Sequence, residues 1–188
     1  MDAILNFFTA FGLSSSAGLN AYIPLLITGL MARYTELVTL NQPFDTLENP
    51  LVLVTLGVLL VIEMFVDKIP ALDTVNDVIH TVIRPGAGAV LFAANTGVVG
   101  SMDPVFAAIL GLVAAGSIHA TKTAARPVIT ASTAGFGNPV VSFIEDVIAF
   151  IASLLAIMMP FLMAFFTIIV FFFIIRWWWR RRRRAAPV

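Results

Sequence analysis

The sequence predicts an all-α integral membrane protein, a six-span helical bundle with internal hairpin repeats and glycine-rich broken or short helices. Three observations predict it. Hydrophobic residues make up 60% of the chain and charged residues 12%, far from the balance of a soluble domain. Three prolines, Pro50, Pro104 and Pro160, stand about 54 and 56 residues apart, and each opens an apolar run. The first two runs reach Lys68 and Lys122 about eighteen positions on, roughly 27 Å of helix and close to a bilayer's hydrocarbon core. The third reaches Arg176, followed by Trp177, Trp178, Trp179 and the arginines Arg180 to Arg184. Proline suits the first turn of a helix, where its missing N–H costs nothing.

Residues 1–179 read as one transmembrane domain and 180–188 as a basic cytoplasmic tail. The net charge of zero hides an asymmetry, since six of the eleven basic residues follow Ile175. Without cysteine there is no disulfide, thiolate metal site or catalytic thiol. Asp2 and the absence of a basic N-terminal region speak against a cleavable signal peptide.

Residues 3–33 exceed one upright helix and are interrupted by small and polar residues at 12–20, which suggests a broken or closely packed first span. Residues 34–49 form an acidic loop with Glu36, Asp45 and Glu48. Residues 51–65 make the second span. Residues 67–84 are amphipathic and too polar to cross, so Asp73, Asp77 and His80 are expected on a solvated linker face. Residues 86–102 form a short, glycine-rich third span, and 104–120 the fourth.

Residues 140–175 make a helix of roughly 54 Å, nearly twice the hydrocarbon thickness. Either they are one long helix kinked at Pro160, giving five spans, or two spans turning near Met158 to Pro160. The charge distribution favours six spans. With both termini cytoplasmic, Lys68, Arg84, Lys122, Arg126, Arg176 and the arginine tail all lie inside, and only Arg33 lies outside. This places the C-terminus in the cytoplasm.

The repeat shows in an ungapped pairing of residues 49–86 with 103–140. Pro50, Leu56, Gly57, Lys68, Ala71 and Pro85 pair with Pro104, Leu110, Gly111, Lys122, Ala125 and Pro139. A second echo relates SSAGLN at Ser15 to Asn20 with STAGFGN at Ser132 to Asn138. GLSSSAGLNAYIPLL, VDKIPALD, RPGAGA and GNPVVSFIEDV, in that order, resemble a family of small multi-pass membrane proteins catalogued as domain of unknown function 4126. The resemblance runs from about Gly12 to the arginine tail. It implies an integral protein of a bacterial inner membrane and brings no activity or catalytic residue.

Ionisable groups within a bilayer cost a few kcal/mol or more and mark functional sites by default. Glu63 lies roughly 20 Å along its helix from Pro50. Asp67 follows one turn later with Lys68 beside it, and a helix end reaching the interface would explain all three structurally. His119 sits at a similar depth on the fourth span, three residues before Lys122. It is a candidate proton relay or a histidine bonded to a backbone carbonyl. Glu145 and Asp146 lie near the start of the fifth span, where a helix dipole favours acids, with Lys122 and Arg126 as the nearest cations in sequence. Asn20, Asn95 and Asn138 need partners inside a bundle. With Arg84 and Arg126, the broken-helix starts at Asn20 and Asn138 are candidate anion sites. Close helix packing explains the same glycines.

No soluble-enzyme motif is present, and no cofactor, metal or nucleic acid is expected. The tryptophans and the arginines Arg180 to Arg184 anchor the chain to anionic headgroups. The leading expectation is a small transporter or channel for a small solute or ion. In it Glu63, Asp67, Lys68, Asn95, His119, Lys122, Glu145 and Asp146 line a cytoplasmic-side cavity. A homodimer would form through the glycine faces of spans one and three. A structural or lipid-interacting protein is the alternative, and a membrane-embedded lipid-modifying enzyme a third.

Overall fold

The computed structural model describes residues 2–66, 70–95 and 102–184. These residues form seven α-helices: α1 (Asp2–Ala17), α2 (Tyr22–Tyr34), α3 (Pro50–Val66), α4 (Pro70–Ala94), α5 (Pro104–Thr133), α6 (Asn138–Met158) and α7 (Pro160–Arg184), with a 3-10 turn at Phe44–Glu48. Helices α3, α5 and α7 start on the three spaced prolines, and α4 on Pro70. At α5 the Asp103 carboxylate completes the start, accepting the N–H groups of Val105 and Phe106 at 2.9 and 3.0 Å.

Among the described residues, three stretches are apolar and long enough to cross a membrane: α5, α6 and Pro160–Arg180 of α7. The last has a mean hydropathy of 2.2 and no fully buried residue. A helix hydrophobic all round with so little protein cover is stable only in an apolar solvent, which here is lipid.

The first apolar stretch is two helices rather than one interrupted span. The turn between them holds because Asn20 Oδ1 accepts the N–H groups of both Tyr22 and Ile23 at 3.0 Å, capping α2. The helices fold back on each other. Phe44, just beyond α2, shares one apolar cluster with Phe7 and Phe11 of α1 and Phe92 of α4. Tyr22, at the start of α2, meets His80 instead, twelve residues and roughly 18 Å lower on α4. So α1 and α2 form a hairpin whose tip points into the bundle, and the acidic loop returns to the end where α1 begins.

The expected polar linker is also helix: α4 runs unbroken through Pro85 and joins residues 70–84 to the start of the third span. Its face is inverted relative to a solvated linker. Val78, Ile79 and Val82 are exposed, while Asn76, His80 and Arg84 are buried. In a bilayer the apolar side faces out and the polar side faces in. Helix α5 continues to Thr133, so Lys122 lies within a helix instead of ending a span. It stops where Ala134 and Gly135 take positive φ (50° and 86°), a left-handed turn that suits glycine.

Residues 140–175 are divided. Met159 leaves helical geometry (φ −137°, ψ 62°) and Pro160 begins α7. Helix α7 then packs on α1, with Phe171 against Phe11 at 6.2 Å between ring centroids.

Helices α4 and α5 approach closely through Gly88 and Gly111. A β-carbon on either glycine would collide with the other's carbonyl oxygen. Gly12 lies against Met163 and Ala156, and Gly18 against Ala115 and Ile118. The glycine faces expected to form a dimer contact are therefore largely used inside the monomer. Gly86 remains on the surface.

Candidate functional site

Four helices bring ionisable side chains to one level of the bundle, roughly 20 Å from the start of α3. Glu63 enters from α3 and is 2% exposed, and Arg84 enters from α4 and is 0% exposed. Arg84 donates from NH2 to Glu63 Oε1 at 2.9 Å. His80, one turn before Arg84, places Nε2 3.2 Å from the same oxygen, at ion-pair distance. On its other side Arg84 NH1 lies 3.2 Å from Nδ1 of His119 on α5. His119 Nε2 is 3.1 Å from Thr81 Oγ1 and 3.4 Å from Thr123 Oγ1. The Tyr22 ring from α2 stands edge-on to His80, with centroids 5.9 Å apart.

Donor chemistry assigns the protons. A guanidinium only donates, so His119 Nδ1 accepts and its proton sits on Nε2, facing the threonine hydroxyls. A backbone carbonyl only accepts. His80 Nδ1, 2.8 Å from the Asn76 oxygen, therefore carries a proton. His80 Nε2 stands at ion-pair distance from Glu63 Oε1 without hydrogen-bond geometry, so this contact by itself assigns no further proton.

A second group lies one to two turns along α5. Lys122 Nζ and Arg126 NH2 both reach Glu145 Oε2 of α6, at 2.8 and 3.3 Å. Lys122 Nζ also donates to the carbonyl of Leu19 in the hairpin turn, at 3.4 Å. Asn20 of that turn donates from Nδ2 to Asp146 Oδ1 at 2.9 Å. The hairpin tip is thus tied to α5 and α6 at the level of the buried charges. Positions 119, 122, 123 and 126 share one face of α5 and join the two groups. Among the described residues, Glu63, Glu145 and Asp146 stand against Arg84, Lys122 and Arg126. Three acids balance three cations, which is how buried charge is held in an apolar medium.

Some residues expected at the site lie elsewhere. Asn95 is eleven residues beyond Arg84, roughly 16 Å along α4, and its backbone bridges to Leu40 of the acidic loop. Asn138 is buried at the start of α6, exchanging hydrogen bonds with Thr130 at 3.0 and 3.2 Å. Asp67 and Lys68 lie outside the described residues. His80, assigned to a solvated face, is instead a central member. The signal was its spacing: Asn76, His80 and Arg84 recur every fourth residue, opposite an apolar face.

Cavities of about 420, 490 and 470 Å3 lie along α7, and none of the three is lined by Glu63, His80, Arg84 or His119. The expected polar cavity reaching Glu63 is not among them. No group of three or more histidines and acids among the described residues is placed to hold a metal ion. A model of the family described as domain of unknown function DUF4126 matches residues 7–180. No curated protein and no solved structure matches the chain.

Proposed function

Since the chain belongs to this family of unknown function, we propose from its own residues that it is a small, proton-coupled membrane transporter or channel for a small solute or ion. The observation that carries the reading is a pair of titratable side chains, Glu63 and His80, held 3.2 Å apart inside the bundle beside a fully buried Arg84. Ionisable groups at that depth are costly unless they do work. In this reading Glu63 and His80 load and release the proton, and Arg84 is the fixed charge that sets the balance. His119 relays through Thr81 and Thr123, whose side chains reach the exposed surface of α4 and α5. The α1–α2 tip, tied by Asn20 and Leu19, is the piece that moves. No catalytic role is assigned to any residue.

The test is proton flux into liposomes carrying the purified chain, followed with an internal pH dye under an imposed potential. Glu63→Gln and His119→Ala are each expected to cut the rate at least about tenfold. Unchanged flux in both variants sinks the coupling reading. A packed, charge-balanced network with apolar cavities beside it favours the second reading, a structural or lipid-interacting membrane protein. That reading expects no flux above empty liposomes.

The proposal keeps the arginine tail in the cytoplasm of a bacterial inner membrane. Six crossings would need α1 and α2 to make a single span, and they form a hairpin. The crossings proposed are α3 to α6, beside a hairpin that returns to its own side, and the end of α7 comes back to Phe7 and Phe8 at the start of α1. Arg84, Lys122 and Arg126 are buried within helices, so they no longer weigh in the charge rule, which counts loop residues. The tail carries the orientation. Because the chain lacks cysteine, single cysteines report sidedness cleanly. An impermeant maleimide added outside intact cells should label Ala134→Cys and spare Glu36→Cys and Pro187→Cys, because the acidic loop and the end of α7 share the end of the bundle where α1 begins. The reverse pattern would invert the topology.

A further inference from the structure

The three cavities on α7 adjoin one another through shared lining residues. The largest, about 490 Å3, is walled by α1, α5 and α7, with Phe11, Phe92, Val113 and Met163 among its lining residues. The next, about 470 Å3, shares Phe7, Phe11, Thr167 and Phe171 with it and runs on to Phe172 and Ile175. Those two residues also border a cleft of about 420 Å3 among Arg176, Trp179 and Arg180. The result is one track, apolar along its length and cationic at one end. Only the hydroxyls of Ser15, Ser117 and Thr167 interrupt its apolar lining, too few to hold a column of water.

We infer that this track binds one anionic diacyl phospholipid of the surrounding membrane. Its acyl chains lie between α1, α5 and α7, and its phosphate lies against Arg176 and Arg180. Charge complementarity picks the occupant. The two arginines are four residues apart on one helix face, a spacing that presents two guanidinium forks to one phosphate. Trp179 beside them supplies the ring that favours the headgroup level. The site is separate from the buried charge network and does not depend on the transport reading.

The test is native mass spectrometry of the full chain in detergent with phosphatidylglycerol or phosphatidylcholine added. One phosphatidylglycerol should be retained at least about tenfold better than phosphatidylcholine. Arg176→Gln with Arg180→Gln should abolish that preference. Val113→Trp, which fills the apolar end, should reduce retention of both lipids about tenfold. Removing equal charge with Arg181→Gln and Arg182→Gln should leave the preference within about twofold. Equal retention of the two lipids by the unaltered chain overturns the inference. So does an equal loss in the two arginine pairs, which would mean general attraction to the tail. If Val113→Trp does not fold, the two arginine pairs still decide.

Discussion

Glu63→Leu is expected to destabilise the protein by about 3–5 kcal/mol, the cost of removing one partner from a buried ion pair. It strands Arg84, which is 0% exposed and cannot shed its charge. Arg84→Met should cost less. Without Arg84, a carboxyl group can still neutralise itself by taking up a proton, which a stranded guanidinium cannot do. The double variant, Glu63→Leu with Arg84→Met, should recover most of the loss, because apolar replacement of both partners is often neutral or stabilising. Equilibrium unfolding in detergent micelles measures all three. Equal losses in the two single variants would show that Glu63 is not neutralised when Arg84 is removed. The double variant also separates structure from function: under the transport reading it is stable and carries no proton flux.

Asn20→Ala is expected to cost about 2–3 kcal/mol. It removes the cap of α2, worth about 1 kcal/mol, and leaves the buried Asp146 carboxylate without this donor, worth a further 1–3 kcal/mol. Asn20→Asp restores an oxygen to cap α2 but sets a carboxylate against Asp146. Adding Asp146→Asn to Asn20→Asp exchanges donor and acceptor across the same contact, so the double variant should recover most of the loss seen in Asn20→Asp alone. Equilibrium unfolding in detergent micelles checks it. No recovery in the double variant would place the cost in the cap alone and remove the Asp146 tie from the account.

Much of the fold was legible because prolines and apolar runs act locally. Pro50, Pro104 and Pro160 opened helices as expected, since a missing N–H matters only within one turn. The hairpin at Asn20 was harder to read. A break such as SSAGLN says that a helix stops, not whether the next one continues or folds back. That depends on Phe44 finding Phe7 and Phe92, residues distant in sequence. The linker was misread for a different reason. Polar residues on a helix face mean solvent in water and interior in lipid, and residues 67–84 do not state which medium surrounds them. The same inversion changes the sidedness argument. Counted as loop charges, Arg84, Lys122 and Arg126 helped fix orientation, but buried in helices they are counterions.

Of the candidate site, the sequence singled out Glu63, Arg84, His119, Lys122, Arg126, Glu145 and Asp146 because charge is rare in an apolar chain and cannot be placed cheaply. It set Lys122 and Arg126 beside Glu145, as the structure does, but placed neither Arg84 nor His80 beside Glu63. In the structure Arg84 stands between Glu63 and His119, and His80 takes the other side of the carboxylate.

By itself the sequence determined that this is a membrane-inserted helical chain, where three of its helices start, and most of the ionisable residues its interior must neutralise. Composition and local backbone chemistry are enough for those. Only the tertiary structure decided that α1 and α2 fold back, that His80 is interior, and that Glu63, Arg84 and His119 form one chain of contacts. Each of these rests on side chains from different helices meeting within about 3–6 Å, and no local pattern encodes such a meeting.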